Sequence, residues 1–108
     1  MSSSRVVLYS LLATGLAAAF YFNSNADTIY AQLGNRYYKQ NNIKKAQEFY
    51  EKSFALGNKD TGIREIYVNS IINSPLDIEA QEKLVRLAED NIQDAASTKA
   101  KYFLYDLK

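Results

Sequence analysis

The chain has 108 residues and contains neither cysteine nor histidine. Without cysteine there is no disulfide, no thiolate zinc site and no thiol nucleophile. Without histidine the commonest general base and metal ligand is missing. No glycine-rich phosphate loop, nucleophile elbow or metal-ligand spacing takes their place. The chain therefore reads as non-catalytic, with no cofactor and no metal. Proline occurs once and glycine four times, so little of the sequence looks disordered. The net charge is only +1, which argues against a broad nucleic-acid surface. Tyrosine, by contrast, is abundant, with nine copies.

The longest uncharged run lies near the N-terminus, from Val6 to Phe22, after the polar stretch Met1-Ser-Ser-Ser-Arg5. As a helix it spans roughly 25 Å, slightly short of a hydrocarbon core of about 30 Å. It has no polar face and is longer than a typical signal-peptide core. It is expected to be an uncleaved transmembrane helix over residues 6–22, contacting the membrane. Arg5 would keep the N-terminus cytoplasmic and place the rest of the chain outside. The alternative is a signal cleaved near Ala17 to Ala19 or Ser24 to Ala26, giving a secreted protein. Residues 1–26 thus form the anchor or signal and a short linker, Asn23 to Asp27. Asp27 or Thr28 is expected to cap the next helix.

From Tyr30 onward the pattern changes. Tyr30, Leu33 and Tyr37 form one apolar stripe, and Ile43, Ala46, Phe49, Tyr50, Ser53 and Phe54 form another, both at three- and four-residue steps. The polar break Gln40-Asn41-Asn42 is short enough to force an antiparallel pair. Gly34 and Ala46 are small, so two backbones can approach closely there, with aromatics filling the flanks. Tyr30, Leu33-Gly34, Tyr37, Ala46 and Tyr50 fall at the spacing of a tetratricopeptide repeat, which this stretch resembles. Two positions depart from that pattern: Ser53 stands where alanine is usual, and Asn58 where proline is usual.

A shift of 34 residues yields a second, degenerate repeat. Leu33 maps to Tyr67, Tyr37 to Ile71, Ala46 to Ala80, Tyr50 to Leu84 and Ser53 to Leu87. Gly34 maps to Val68, which would push the helices slightly apart. Asp60 and Asp77 are placed to cap the two helices of this repeat, and Ser74-Pro75 separates them. Asp94 then caps a last amphipathic helix carrying Ala96, Ala100, Phe103, Leu104 and Leu107. The expected fold class is all-α: an N-terminal transmembrane helix, then antiparallel helix pairs of an α-solenoid over residues 27–108. Repeat 1 occupies 27–60, repeat 2 occupies 61–94, and 95–108 is a capping helix or the start of a third repeat. A chain ending inside a periodic helix also suits a fragment of a longer protein.

The resemblance implies a groove lined by the first helix of each repeat. Its positions carry over to Asn35, Tyr38 and Lys39 in the first repeat and to Glu65, Asn69 and Ile72 in the second. Asn35 and Asn69 share one repeat position, and such amides can hydrogen-bond an extended peptide. Solvated surface amides are the plainer account of the same residues. The family's lysine for a terminal carboxylate falls on Ala31, so that clamp is missing. Charges are expected on solvated helix faces, with pairs such as Glu48 to Lys52 and Glu79 to Lys83. The function so implied is a membrane-anchored scaffold that holds a protein or peptide segment and binds no nucleic acid. Two alternatives stand beside it: the leading part of a larger attached or exported enzyme, and a self-associating homo-oligomer.

Overall fold

A computed structural model describes residues 25–106, and all regular structure among them is helical. Five helices follow in order: α1 over residues 25–39, α2 Ile43–Ala55, α3 Thr61–Ile72, α4 Ile78–Glu89 and α5 Ala95–Asp106. The arrangement is repeat-like: α1 pairs with α2, α3 pairs with α4, and α5 packs against both α3 and α4.

Short polar residues start the later helices as the sequence suggests. Asp60 Oδ1 accepts from the Ile63 amide at 3.0 Å, and Asp77 Oδ1 from the Ala80 amide at 2.8 Å. At α5 the cap is reciprocal: the Ser97 amide donates to Asp94 Oδ1 at 3.0 Å, and the Asp94 amide donates to Ser97 Oγ at 3.1 Å. Each cap satisfies a helix-end donor that would otherwise need water. The turn after α1 runs through Asn41 at φ 60°, a left-handed conformation that asparagine tolerates. Gly57, at φ 96°, ends the turn after α2.

The cap expected at Asp27 or Thr28 is not used. Residues 25–28 are already helical, so the expected linker is helix at its end. No proline or glycine interrupts this stretch, and the Ser53 hydroxyl donates to the Asp27 carbonyl at 2.6 Å, tying α1 to α2.

The core runs through the stack. Ala46 and Tyr50 of α2, Tyr67, Val68 and Ile71 of α3, Ala80, Leu84 and Leu87 of α4, and Ala96 and Ala100 of α5 form one buried cluster. Each large aliphatic in it contributes about 1.5–3 kcal/mol by leaving water. Helices α1 and α2 approach closely: a Cβ at Gly34 would lie 2.5 Å from the Tyr50 ring. The outer side of this pair is a ladder of rings. Phe49 stacks between Tyr30 (5.9 Å) and Tyr37 (5.4 Å), while Lys52 lies over Phe49 and Lys45 over Tyr37.

No helix among the described residues is long and apolar enough to cross a membrane. Helices α2 to α5 have 12 or 13 residues, so each is about 20 Å long, against the ~30 Å of a hydrocarbon core. The expected fold class is corrected in that respect, and the single-pass placement with its outside repeat domain falls with it. Residues 6–22, on which that expectation rested, lie outside the described residues.

Candidate partner-binding groove

Each expected groove residue sits on the first helix of a pair: Asn35, Tyr38 and Lys39 on α1, and Glu65, Asn69 and Ile72 on α3. Tyr38 and Lys39 are exposed in the last turn of α1. Asn35 is half-buried, and its Oδ1 accepts from the Tyr50 hydroxyl at 2.6 Å. Burial, with a smaller contribution from Tyr38, pushes the Tyr50 phenol up to about 12, so it remains a neutral donor. Ile72 packs against the core rather than standing free.

Glu65 and Asn69 are brought together by a residue that the sequence reading did not single out. Lys99 of α5 donates to Glu65 Oε1 at 3.1 Å and to Asn69 Oδ1 at 3.2 Å. A signal for it existed, because Lys99 lies one repeat period after Glu65. The two amides thus share a geometry. Each has its oxygen engaged by an internal donor, Tyr50 or Lys99. Neither Nδ2 has a partner among the described residues, and neither is buried without one. Both are left as donors suited to an acceptor such as a peptide carbonyl.

Behind this face lies a polar core. Gln47 Nε2 donates to Ser70 Oγ at 3.0 Å, and Lys83 Nζ donates to Gln47 Oε1 at 2.9 Å. Lys83 also pairs with Glu51 at 3.1 Å, and the Tyr67 hydroxyl donates to Glu51 Oε2 at 2.6 Å. Burial, and then the Glu51 carboxylate, raise the Tyr67 phenol well above its ordinary value. These bonds join α2, α3 and α4, so the two repeats share one network. A cleft of about 310 Å³ lined by Ile43, Gln47, Ala80 and Lys83 opens beside it, away from Asn35 and Asn69.

The expected solvated charges divide into two kinds. Glu79 and Lys83 do pair, at 3.6 Å, whereas Lys52 turns toward the rings of Tyr30 and Phe49. Arg64 is 3% exposed. Its Nε meets Asp94 Oδ2 at 2.8 Å and its Nη1 meets Asp90 Oδ2 at 2.7 Å. The guanidinium holds the Asp94 carboxyl below its ordinary range. A buried arginine fork thereby fastens the start of α5 to α3 and the end of α4.

The two departures from the repeat pattern also answer each other. Asn58 Nδ2 donates to Ser53 Oγ at 2.8 Å, and Asn58 Oδ1 accepts from the Asp60 amide at 2.9 Å. Ser53 in turn holds the Asp27 carbonyl. The side chain of Asn58 therefore shapes the turn where proline is usual.

Helix pairs stacked one after another, with α5 packed on the second pair, define a helical, repeat-like all-α fold. Compared with known proteins, the chain matches no family model, no curated protein and no solved structure.

Proposed function

We propose that the chain is a tetratricopeptide-like repeat module that holds an extended segment of a partner protein along α1 and α3, without catalysis of its own. The observation that carries this reading is the shared state of Asn35 and Asn69. They lie one repeat apart, and in both the acceptor is engaged internally while the amide donor has no partner among the described residues. Donors repeated along a rigid surface suit the carbonyls of an extended chain. Tyr38 and Lys39 add an exposed ring and a cation at one end.

The test is selection of linear peptides from a random display library on the full chain, followed by titration against Asn35→Ala/Asn69→Ala. Selected peptides should lose about tenfold in affinity if two neutral hydrogen bonds are removed. The variant must first give an unchanged helical circular dichroism spectrum, since Asn35 also holds Tyr50. Equal binding by the folded variant, or no peptide selected at all, refutes the reading.

A further inference from the structure

Helix α5 is held from one side. Ala96 and Ala100 are fully buried where α5 meets α3 and α4, and Phe103 and Leu104 pack on the same core. On the other side Tyr102 and Tyr105 are exposed. The start of the helix is fastened by the bond from Arg64 to Asp94. An element covered on one side opens locally at less cost than the elements it rests on. Two states therefore matter for the groove, α5 docked and α5 released.

Lys99 makes the groove sensitive to that difference. Glu65 and Asn69 stand one helical turn apart on α3, so a single ammonium can reach both. Lys99 Nζ does so, at 3.1 Å from Glu65 Oε1 and 3.2 Å from Asn69 Oδ1. An ammonium has donors and no acceptor, so it can hold the asparagine only by its oxygen. With α5 docked, Nδ2 is the end of Asn69 left to face an incoming carbonyl, and the Glu65 carboxylate is occupied. With α5 released, neither oxygen has its cation. Glu65 is then an acceptor for the Asn69 amide itself, and an amide paired with a carboxylate at that spacing stabilises a helix. The donor that the groove needs is then satisfied within α3. Asn35 differs, because Tyr50 of α2 holds it and α5 takes no part. Only the second of the two donors depends on α5.

We propose that Lys99 is a positioning residue for the groove: by drawing Glu65 and the Asn69 oxygen to itself, it makes binding of an extended segment depend on the docking of α5. This rests on the groove reading above and adds its regulation. The coupling runs both ways. A segment that binds the docked arrangement better than the released one must hold α5 down by the same factor.

The experiment uses the full chain and the tightest linear peptide selected from the display library, labelled with fluorescein. Anisotropy titrations compare the unaltered chain, Lys99→Met and Glu65→Ala/Lys99→Met. Lys99→Met should weaken binding about threefold, the share of one of the two neutral hydrogen bonds. The double variant should recover the unaltered affinity, because no carboxylate is left to capture the Asn69 amide. Hydrogen exchange of Ala95–Asp106 supplies the reciprocal measurement. Saturating peptide should slow it about threefold in the unaltered chain and leave it unchanged in Lys99→Met. Unchanged affinity in Lys99→Met overturns the proposal. So does a double variant as weak as Lys99→Met, which would make Lys99 a direct contact or a merely structural residue. Exchange of α5 that the peptide leaves unchanged in the unaltered chain also overturns it. Failure of the groove reading looks different: Asn35→Ala/Asn69→Ala would bind equally, or no peptide would be selected, and this proposal falls with it.

Discussion

At Gly34 a single methyl group is decisive. A Cβ there would meet the Tyr50 ring at 2.5 Å, and the ring cannot swing away because its hydroxyl is held by Asn35. Gly34→Ala should therefore cost about 1–3 kcal/mol, despite alanine's better helix propensity. Adding Tyr50→Leu should recover part of that loss, because leucine is what the second repeat places there. Urea unfolding of the unaltered chain and these two variants measures both effects. Ala46, fully buried beside this contact, should be equally intolerant: Ala46→Leu is expected to lower the melting temperature, and an unchanged one would contradict the packing described. Tyr50 also gives the fold an alkaline limit. Its folded pKa of about 12 lies above the ordinary value of 10.0, so the neutral form is favoured in the folded chain. That stability is complete below about pH 10 and is lost as the pH rises through about 12. Stability measured across that range should fall less steeply in Tyr50→Phe.

Among the elements, α5 depends most on one side chain. Arg64 reaches it through Asp94 and secures the end of α4 through Asp90. Arg64→Met removes the buried cation and leaves two carboxylates facing each other, a change that typically costs about 3–5 kcal/mol. Amide exchange should accelerate first in Ala95–Asp106 and only later in α2, because the lost fork joins α5 to the rest. Acid should act in the same direction. The folded pKa of Asp94 is depressed, so its contribution is complete above the ordinary carboxylate value and is lost as the pH falls through the folded one. Asp94→Asn should flatten the decline in urea midpoint from about pH 5 downward. The turns are governed more locally. Asn58 and Ser53 should show a coupling of about 0.5–1.5 kcal/mol in a double-alanine cycle measured by thermal unfolding, the size of one hydrogen bond.

Across the whole molecule, the helix pairs and the caps at Asp60, Asp77 and Asp94 were legible in the sequence because they rest on period and on short-range chemistry, whereas the cap expected at Asp27 or Thr28 is not used. Apolar steps of three and four, a break at Gln40 to Asn42, and aspartates just before apolar runs each have one local solution. The buried charges were not legible in the same way. Arg64 and Lys83 look like the other cations of amphipathic helices, and only the partners they meet 26 to 36 residues away explain their burial. A clue was present for Arg64, which falls one period after Tyr30, at a position the repeat reserves for a large buried side chain. The residues expected to line a groove fall on the first helices of the pairs, but the way Tyr50 and Lys99 hold Asn35 and Asn69 was not legible, since both come from other helices. The transmembrane expectation rested on a run outside the described residues, and the helices that are described are too short to cross a bilayer. The Lys83 network, which spans both repeats, should make them unfold together. Lys83→Met should broaden the urea transition and lower its slope, as coupling between the pairs weakens.

The close seat of Tyr50 on Gly34 in the first hairpin, where the second has Val68 and Leu84 in its core, means that the two hairpins are not interchangeable parts. A duplicated first hairpin spliced in place of the second would bring its own matched pair of residues, but would lose Arg64, Ser70 and Lys83, through which the second hairpin holds its neighbours. A single second helix moved alone would carry the wrong volume for its new mate. Lengthening this array by copying would therefore require recombination at the turns near Asn58 and Asp94, moving whole hairpins, with the joint rebuilt each time.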